Sequence, residues 1–378
     1  MFDRPFWRKQ IRRRLASRNI LWLAGVRRTG KTVLCRMLDD AEYFDCELPR
    51  VRRLLDDAEV FFARHRGKLV VLDEIHRLVN PSQVLKIAAD HFPDTRVLAT
   101  GSSTLAARRK FRDTLAGRKH TLWLLPSILP DLDSFSVDDL DVRMLRGGLP
   151  PLLLADGIDD EAYREWIDSY WARDLQELFN IERKASFIKL LELLFIQSGS
   201  LFRAQPLASA CEISRQTVMN YLEALQVTLL VTVLRPFAGG AAAEVKSQPK
   251  VYAFDTGFVC YFRNIDKLRN EDRGLLLEHL VLAELQARWP RECIFYWRDK
   301  QKHEVDFILR KDRGEQLLAI ECKHHHGHFD PSALRSFRRR HPGGRNLVVC
   351  LDPLAPWQAN FGELEVEFVP FPALPEYL

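Results

Sequence analysis

Eight residues near the start of the chain, Gly25-Val26-Arg27-Arg28-Thr29-Gly30-Lys31-Thr32, have the types and spacing to hold a polyphosphate. The two glycines let the backbone curl until successive N–H groups point at a β-phosphate, and the N-terminus of a following helix attracts the same charge. Lys31 then reaches the β- and γ-phosphates and the Thr32 hydroxyl ligates Mg²⁺, while Val26, Arg27, Arg28, Thr29 and Val33 complete the nucleotide-binding set. A second group, Asp73-Glu74, closes the apolar run that starts at Lys68. Asp73 is placed to hold the Mg²⁺ through water, and Glu74 to polarise the attacking water. Thr100 and Ser102 end a third apolar run, where their hydroxyls can sense a γ-phosphate. A capped loop leading into a helix from Thr104 accounts for those hydroxyls equally well. The chemistry implied by the whole set is Mg²⁺-dependent conversion of ATP to ADP and phosphate.

A second constellation lies far along the chain: Glu278, Asp306, Glu321 and Lys323. An acid on one strand, with E-x-K at the end of the next, brings two carboxylates and an ammonium to one point, because residues two apart share a strand face. Asp306 and Glu321 could hold one or two Mg²⁺ ions, Lys323 could orient or activate water, and Glu278 could contribute from a helix. The E-x-K triplet alone is also what a solvated strand edge looks like. His324-His325-His326 and His328 follow directly. Adjacent histidines on an extended segment are not expected to face one ion, so no metal site is assigned to them.

The elements that must carry these groups are legible from periodicity. Residues 21–24, 68–74 and 96–100 read as buried parallel strands, the first leading through the glycine loop into a helix over 33–38. Arg146 to Pro151 is turn punctuation, which puts the end of the first domain near residue 150. Residues 161–179 read as a helical lid with Tyr163, Trp166, Ile167, Tyr170 and Leu178 on one face. Helices over 185–197, 206–210 and 215–225, with a turn at 212–214 and a strand over 229–234, give winged helix-turn-helix spacing. Ser214 is the natural cap of the third helix, and Arg215, Gln216 and Asn220 are exposed residues able to contact DNA. After an Ala/Gly run over 239–243, strands are expected over 250–255, 294–298, 304–309 and 316–320, with a helix over 274–288. The fold class is α/β multidomain: a core with a parallel sheet (1–150), a lid (151–183), the winged helix-turn-helix (184–237) and a further α/β domain (238–378).

Composition sets the outer limits. The 378 residues suffice for two or three hydrophobic cores. The net charge is only +5, but Arg12-Arg13-Arg14, Arg27-Arg28, Arg108-Arg109-Lys110 and Arg338-Arg339-Arg340 form patches that permit a phosphate-rich partner. Seven cysteines without C-x-x-C spacing point to free thiols in a reducing compartment, with neither disulfides nor zinc. No apolar run reaches the roughly 18–20 residues of a membrane span. A cytoplasmic protein with no membrane partner is expected.

Residues 25–32, 69–74 and 100–102 together resemble an AAA-type P-loop ATPase core. That resemblance makes Arg118, in Leu115-Ala116-Gly117-Arg118, a candidate charge-stabilising finger acting across a subunit interface, with an ordinary surface arginine as the alternative. The C-terminal constellation resembles the PD-(D/E)xK nuclease-like fold. Nearly the whole chain is similar to a prokaryotic family of AAA-type ATPases with a nuclease-like C-terminal domain of unknown function. Gly147 to Pro150, Tyr170 to Asp174, Lys250 to Gly257, Trp297-Arg298 and Glu304-Val305-Asp306-Phe307 carry the rest of the likeness. One departure is Arg27-Arg28-Thr29, where relatives commonly have a single basic residue. The resemblance implies ATP and Mg²⁺ as cofactors. The leading expectation is an ATPase whose nucleotide state controls engagement of DNA. An ATP-gated partner-binding or signalling protein with a non-cleaving scaffold, and an active ATP-dependent nuclease, are the alternatives. A homo-oligomer or a protein partner fits any of them.

Overall fold

The computed structural model describes residues 3–101, 115–175, 183–238, 248–311, 316–352 and 355–378. The chain divides into two compact units. One comprises Met1–Asp138, Leu149–Glu182 and Glu223–Leu230, the other Asp139–Gly148, Arg183–Leu222 and Val231–Leu378.

In the first unit five parallel strands, β1 (Ile20–Ala24), β2 (Ala41–Asp45), β3 (Leu69–Asp73), β4 (Arg96–Thr100) and β5 (Lys119–Trp123), form a sheet of order β2-β3-β4-β1-β5. β1 and β3 are buried along their whole length, the environment that their unbroken apolar runs require. Parallel pairing brings the carboxyl ends of β1, β3 and β4 to one edge, where open α/β sheets bind ligands. The helix after β1 is Lys31–Arg36, two residues earlier than its apolar pattern suggested. It starts there because Gly30 takes the left-handed conformation, φ +90°, and ends the loop abruptly.

The helix Asp160–Tyr170 is capped by Asp159, whose carboxylate accepts the Glu161 and Ala162 N–H groups. It buries Tyr163, Trp166, Ile167 and Tyr170, the face that the spacing predicts. Trp171–Leu175 continues it as a π-turn, and the rest of the expected lid lies outside the described residues.

In the second unit the order is helix Lys184–Ile196, β6 (Ser200–Leu201), helix Ala204–Cys211, helix Arg215–Val227, β7 (Val231–Leu234) and β8 (Lys250–Ala253). The three strands form an antiparallel sheet of order β6-β8-β7. This corrects one expectation: Lys250–Ala253 was placed in the C-terminal domain, yet it pairs Val231 with Ala253 and Leu201 with Lys250. The strand alternation was legible, but not the partner, because the hairpin loop hides the connection. Asp139–Gly148, expected in the first domain, also joins this unit. Gly148 donates its N–H to Asp255, and Arg143 donates to the Thr256 hydroxyl.

The remaining strands are β9 (Ile294–Arg298), β10 (Glu304–Arg310), β11 (Leu317–Lys323), β12 (Asn346–Cys350), β13 (Trp357–Phe361) and β14 (Leu364–Pro370). They form a mixed sheet of order β13-β14-β12-β11-β10-β9. β9, β10 and β11 are an antiparallel meander, and β11, β12 and β14 run parallel. Helix Asn270–Arg288 packs on β11 and helix Ser332–Arg340 on β10. The core includes Phe295, Trp297, Val305, Ile308, Leu334, Phe337 and Val348. β11 runs three residues beyond its apolar stretch, so Glu321 and Lys323 lie within the strand. Among the described residues no helix is long and apolar enough to cross a membrane.

Candidate functional site

A cavity of about 260 Å³ opens at the carboxyl edge of the five-stranded sheet, lined by the Gly25–Val33 loop, Glu74, His76, Trp166, Ser169, Tyr170 and Thr228. The loop's shape follows from its residues. A Cβ on Gly25 would lie 2.6 Å from the Leu124 carbonyl oxygen, so no larger residue fits there. Thr29 is fully buried, and its hydroxyl donates to the Val26 carbonyl at 2.9 Å. Its side chain therefore shapes the loop, and any contact with a ligand falls to its backbone. The Lys31 ammonium donates to the Gly25 and Val26 carbonyls at 2.8 and 3.0 Å. Incoming phosphates would exchange those carbonyls for stronger, charged acceptors. Val33 is exposed at the start of the helix.

Two residues that the motif does not contain hold the loop from outside. Arg4, almost fully buried, pairs with Asp131 at 2.6 Å and donates to the Thr29 carbonyl at 2.7 Å. The Trp166 indole N–H donates to the Arg27 carbonyl at 3.2 Å. An arginine directly before a proline-started helix was the only sequence signal for the first, and it does not reveal the partners.

The carboxylates sit as their strand predicts. Asp73 is 2% exposed at the end of β3 and accepts the Tyr43 hydroxyl at 2.6 Å and the Thr100 hydroxyl. Thr100 is itself buried and accepts the Glu74 N–H at 3.0 Å. Its hydroxyl is thus engaged with Asp73 and Glu74, an arrangement that positions both acids. Ser102 lies outside the described residues. Glu74 takes a left-handed backbone, φ +54°, and its carboxylate lies 3.0 Å from His76 Nδ1. Burial works to raise the Glu74 pKa, but the His76 hydrogen bond and the charges of Lys31 and Arg27 outweigh it, so the group sits below the ordinary glutamate value. His76 was missed in the sequence because a histidine two residues past an acid has no motif value.

Arg118 immediately precedes β5, where Lys119 is in register with Ile20, while the glycine loop follows the other end of β1. Five strand residues, roughly 16 Å, separate the two edges, and Arg118 is paired with Asp90 at 2.7 Å. It therefore does not reach its own chain's loop, and its position is compatible with an ordinary surface arginine paired with Asp90 or with a role across a subunit interface.

Ser214 caps the helix Arg215–Val227 by accepting the Thr217 N–H at 3.0 Å. Arg215, Gln216 and Asn220 are exposed on its first turns, with Gln216 donating to Asn220 at 2.9 Å.

In the second unit Glu278, Asp306, Glu321 and Lys323 come to one place with three further residues. Lys323 lies 3.0 Å from Glu321 Oε2, and Asp306 accepts the Cys322 N–H at 2.8 Å. Lys250, with a side chain 5% exposed, reaches Glu304 at 2.6 Å and Glu278 at 3.9 Å. The Tyr252 hydroxyl donates to Glu278 at 2.8 Å. Burial and the nearby Asp306 charge hold the Glu278 carboxyl well above its usual range. Burial pushes Glu321 up to about 7, against the pull of Lys323. The Glu321 Oε1 atom is buried without a hydrogen-bond partner. An orphaned carboxylate oxygen of this kind fits a hard divalent cation.

A tighter donor group forms where β11 and β12 end: the ligand atoms of His325, His326 and Asp352 lie within 4.8 Å of one another. Two of the four histidines thus converge, beside a 3₁₀ turn over His326–His328. His325 Nδ1, however, accepts the Gly327 N–H at 3.0 Å, which leaves the ring proton on Nε2 facing Asp352.

Comparison with known proteins places an AAA domain at residues 17–130. Domains of unknown function follow at 137–269 (DUF8612) and 273–370 (DUF4143). The middle match includes both Asp139–Gly148 and β8. Uncharacterized proteins of Mycobacterium tuberculosis and Mycobacterium bovis are each 30% identical over 310 residues, covering 79% of this chain and 69% of theirs. Among solved structures, the Walker-type ATPase of Pyrococcus abyssi is 15% identical, covers 70% of this chain and 96% of its own, and has a TM-score of 0.46. The Aeropyrum pernix ORC1 protein in complex with DNA is 14% identical over 69% and 91%, with a TM-score of 0.29. Likenesses this distant carry no weight for function. The chain belongs to the family of these mycobacterial proteins, and in it an AAA domain is followed by two domains of unknown function.

Proposed function

We propose that the protein binds ATP with Mg²⁺, hydrolyses it, and uses its nucleotide state to control engagement of DNA. The observation that supports the nucleotide part of this reading is the convergence of Lys31, Thr32 and Glu74 on one cavity at the carboxyl edge of the sheet, with Asp73 buried at the end of the strand that precedes Glu74. Lys31 and the loop's N–H groups hold the phosphates, Thr32 and Asp73 hold the ion, and Glu74 orients the attacking water. The Mg²⁺ would neutralise charge on the β- and γ-phosphates. Thr100 and His76 fix the two carboxylates in place. Arg118 of a neighbouring copy would complete the site in an oligomer.

The domain division that goes with this function is a core to about residue 138, the lid helix, a winged helix that includes β8, and a C-terminal nuclease-like domain. Support for the winged helix is its order of helix, strand, two helices and two strands, with a capped and exposed third helix. Support for a PD-(D/E)xK nuclease-like domain is the placement of Asp306 on β10, of Glu321 and Lys323 on β11, and of Glu278 on the packed helix. The orphaned Glu321 oxygen favours metal-dependent cleavage as a second reading.

DNA engagement is testable apart from catalysis. Anisotropy titration of labelled duplex DNA is expected to give affinity that falls linearly in logarithm with salt. Arg215→Ala is expected to weaken it by about 1–3 kcal/mol where the contact is to a base, or to lower the salt slope by about one where it is to phosphate. Binding by Arg215→Ala that matches the parent at every salt concentration would remove this helix from the DNA interface.

A further inference from the structure

We infer that the C-terminal carboxylate centre takes one divalent cation and not two, because the Lys250 ammonium holds the place of the second. This rests on the nuclease-like reading above and assigns that site's stoichiometry. Four acids meet there, but they fall into two groups. Glu278 and Glu304 are compensated: Lys250 touches Glu304 at 2.6 Å and lies 3.9 Å from Glu278, Arg298 reaches Glu304 at 3.0 Å, and Tyr252 donates to Glu278 at 2.8 Å. Glu321 pairs with Lys323 at 3.0 Å and keeps one oxygen buried without a partner, while Asp306 accepts the Cys322 N–H and feels the charges of both Lys250 and Lys323, with no direct ion pair to either among the described residues. Acceptor capacity for a cation is therefore left at the Asp306–Glu321 end.

The placement of Lys250 is built into the fold. Lys250 and Tyr252 are two residues apart on β8, so they share a face, and both meet Glu278. The strand belongs to the small sheet with β6 and β7, while Glu304 and Asp306 belong to β10. A second divalent ion at Glu278 would have to displace an ammonium that is almost fully buried and held by two carboxylates, or sit beside it against like-charge repulsion. Glu278 is accordingly a partner of Lys250 and Tyr252, and not a metal ligand.

The test is Mn²⁺ binding by electron paramagnetic resonance, which reads free ion and needs no turnover. It uses the full chain without nucleotide, carrying Asp352→Ala so that the histidine turn does not contribute. The expected result is one ion, held about tenfold or more less tightly in Glu321→Gln, as loss of a ligand should cost at least what loss of a supporting group does. Glu278→Gln, a conservative change, is expected to keep the ion within about threefold, since only a neighbouring charge is lost. Two ions in the parent, or a loss in Glu278→Gln equal to that in Glu321→Gln, would overturn the inference. Mn²⁺ binding indifferent to Glu321→Gln would instead overturn the metal-centre reading itself, and the inference with it.

Discussion

Glu74→Gln is expected to bind ATP and Mg²⁺ as tightly as the parent protein while turnover falls by about 10²- to 10⁴-fold, the usual span for loss of a positioned base. The substitution keeps the size of the side chain and leaves the loop, Lys31 and Asp73 untouched. It removes only the charge that orients water. The geometry makes the separation clean, because the Glu74 backbone N–H is held by Thr100 and its carboxylate by His76, so neither shapes the phosphate cradle. The Glu74 carboxyl lies below its ordinary value, held there by His76, Lys31 and Arg27 against the effect of burial, so it is ionised at neutral pH. Turnover should accordingly show no acid limb from this group near neutrality. Calorimetric titration with ATP and a phosphate-release assay together check the point, and equal loss of binding and turnover would count against the assigned role.

Lys31→Ala is the second large effect. Binding should weaken strongly, and turnover at saturating ATP should fall by about 10²- to 10³-fold, comparable to loss of a single charge-stabilising donor. The Lys31 ammonium rests on the Gly25 and Val26 carbonyls. It is stored within the loop and needs only a short movement to meet the phosphates. The fold should survive, since the loop is also held by the buried Arg4–Asp131 pair and by the Trp166 indole. A circular-dichroism melt that matches the parent would separate lost chemistry from lost structure.

The elements that carry the candidate nucleotide site were largely legible in the sequence, because the apolar runs of β1 and β3 announce the strands whose ends the loop and the acid pair follow. Gly25 to Thr32 and Asp73-Glu74 lie where strand, loop and helix order puts them. What could not be read were partners distant in sequence. Arg4 reaches Thr29 and Asp131, and Trp166 reaches Arg27, across separations of 25 to 139 residues. The contact of Thr100 with Asp73 was likewise not legible, since only the side-by-side pairing of β3 and β4 brings the two together. The same limit applies to β8. Its alternation identified a strand, while its partners, β6 and β7, depend on a hairpin whose loop has no periodicity to follow. Lys250 was therefore invisible as part of the carboxylate centre. The 3₁₀ turn over His326–His328 was not legible either, since the segment carries no apolar spacing to mark it.

The measurement that bears most directly on the central claim is ATP turnover by the purified protein with and without double- and single-stranded DNA, with Lys31→Ala run alongside to exclude a contaminant. Nucleotide-linked DNA engagement predicts turnover that rises when DNA is added and disappears in Lys31→Ala. Turnover that depends on Lys31 but is indifferent to both forms of DNA would contradict it and leave a protein partner as the regulator of this ATPase.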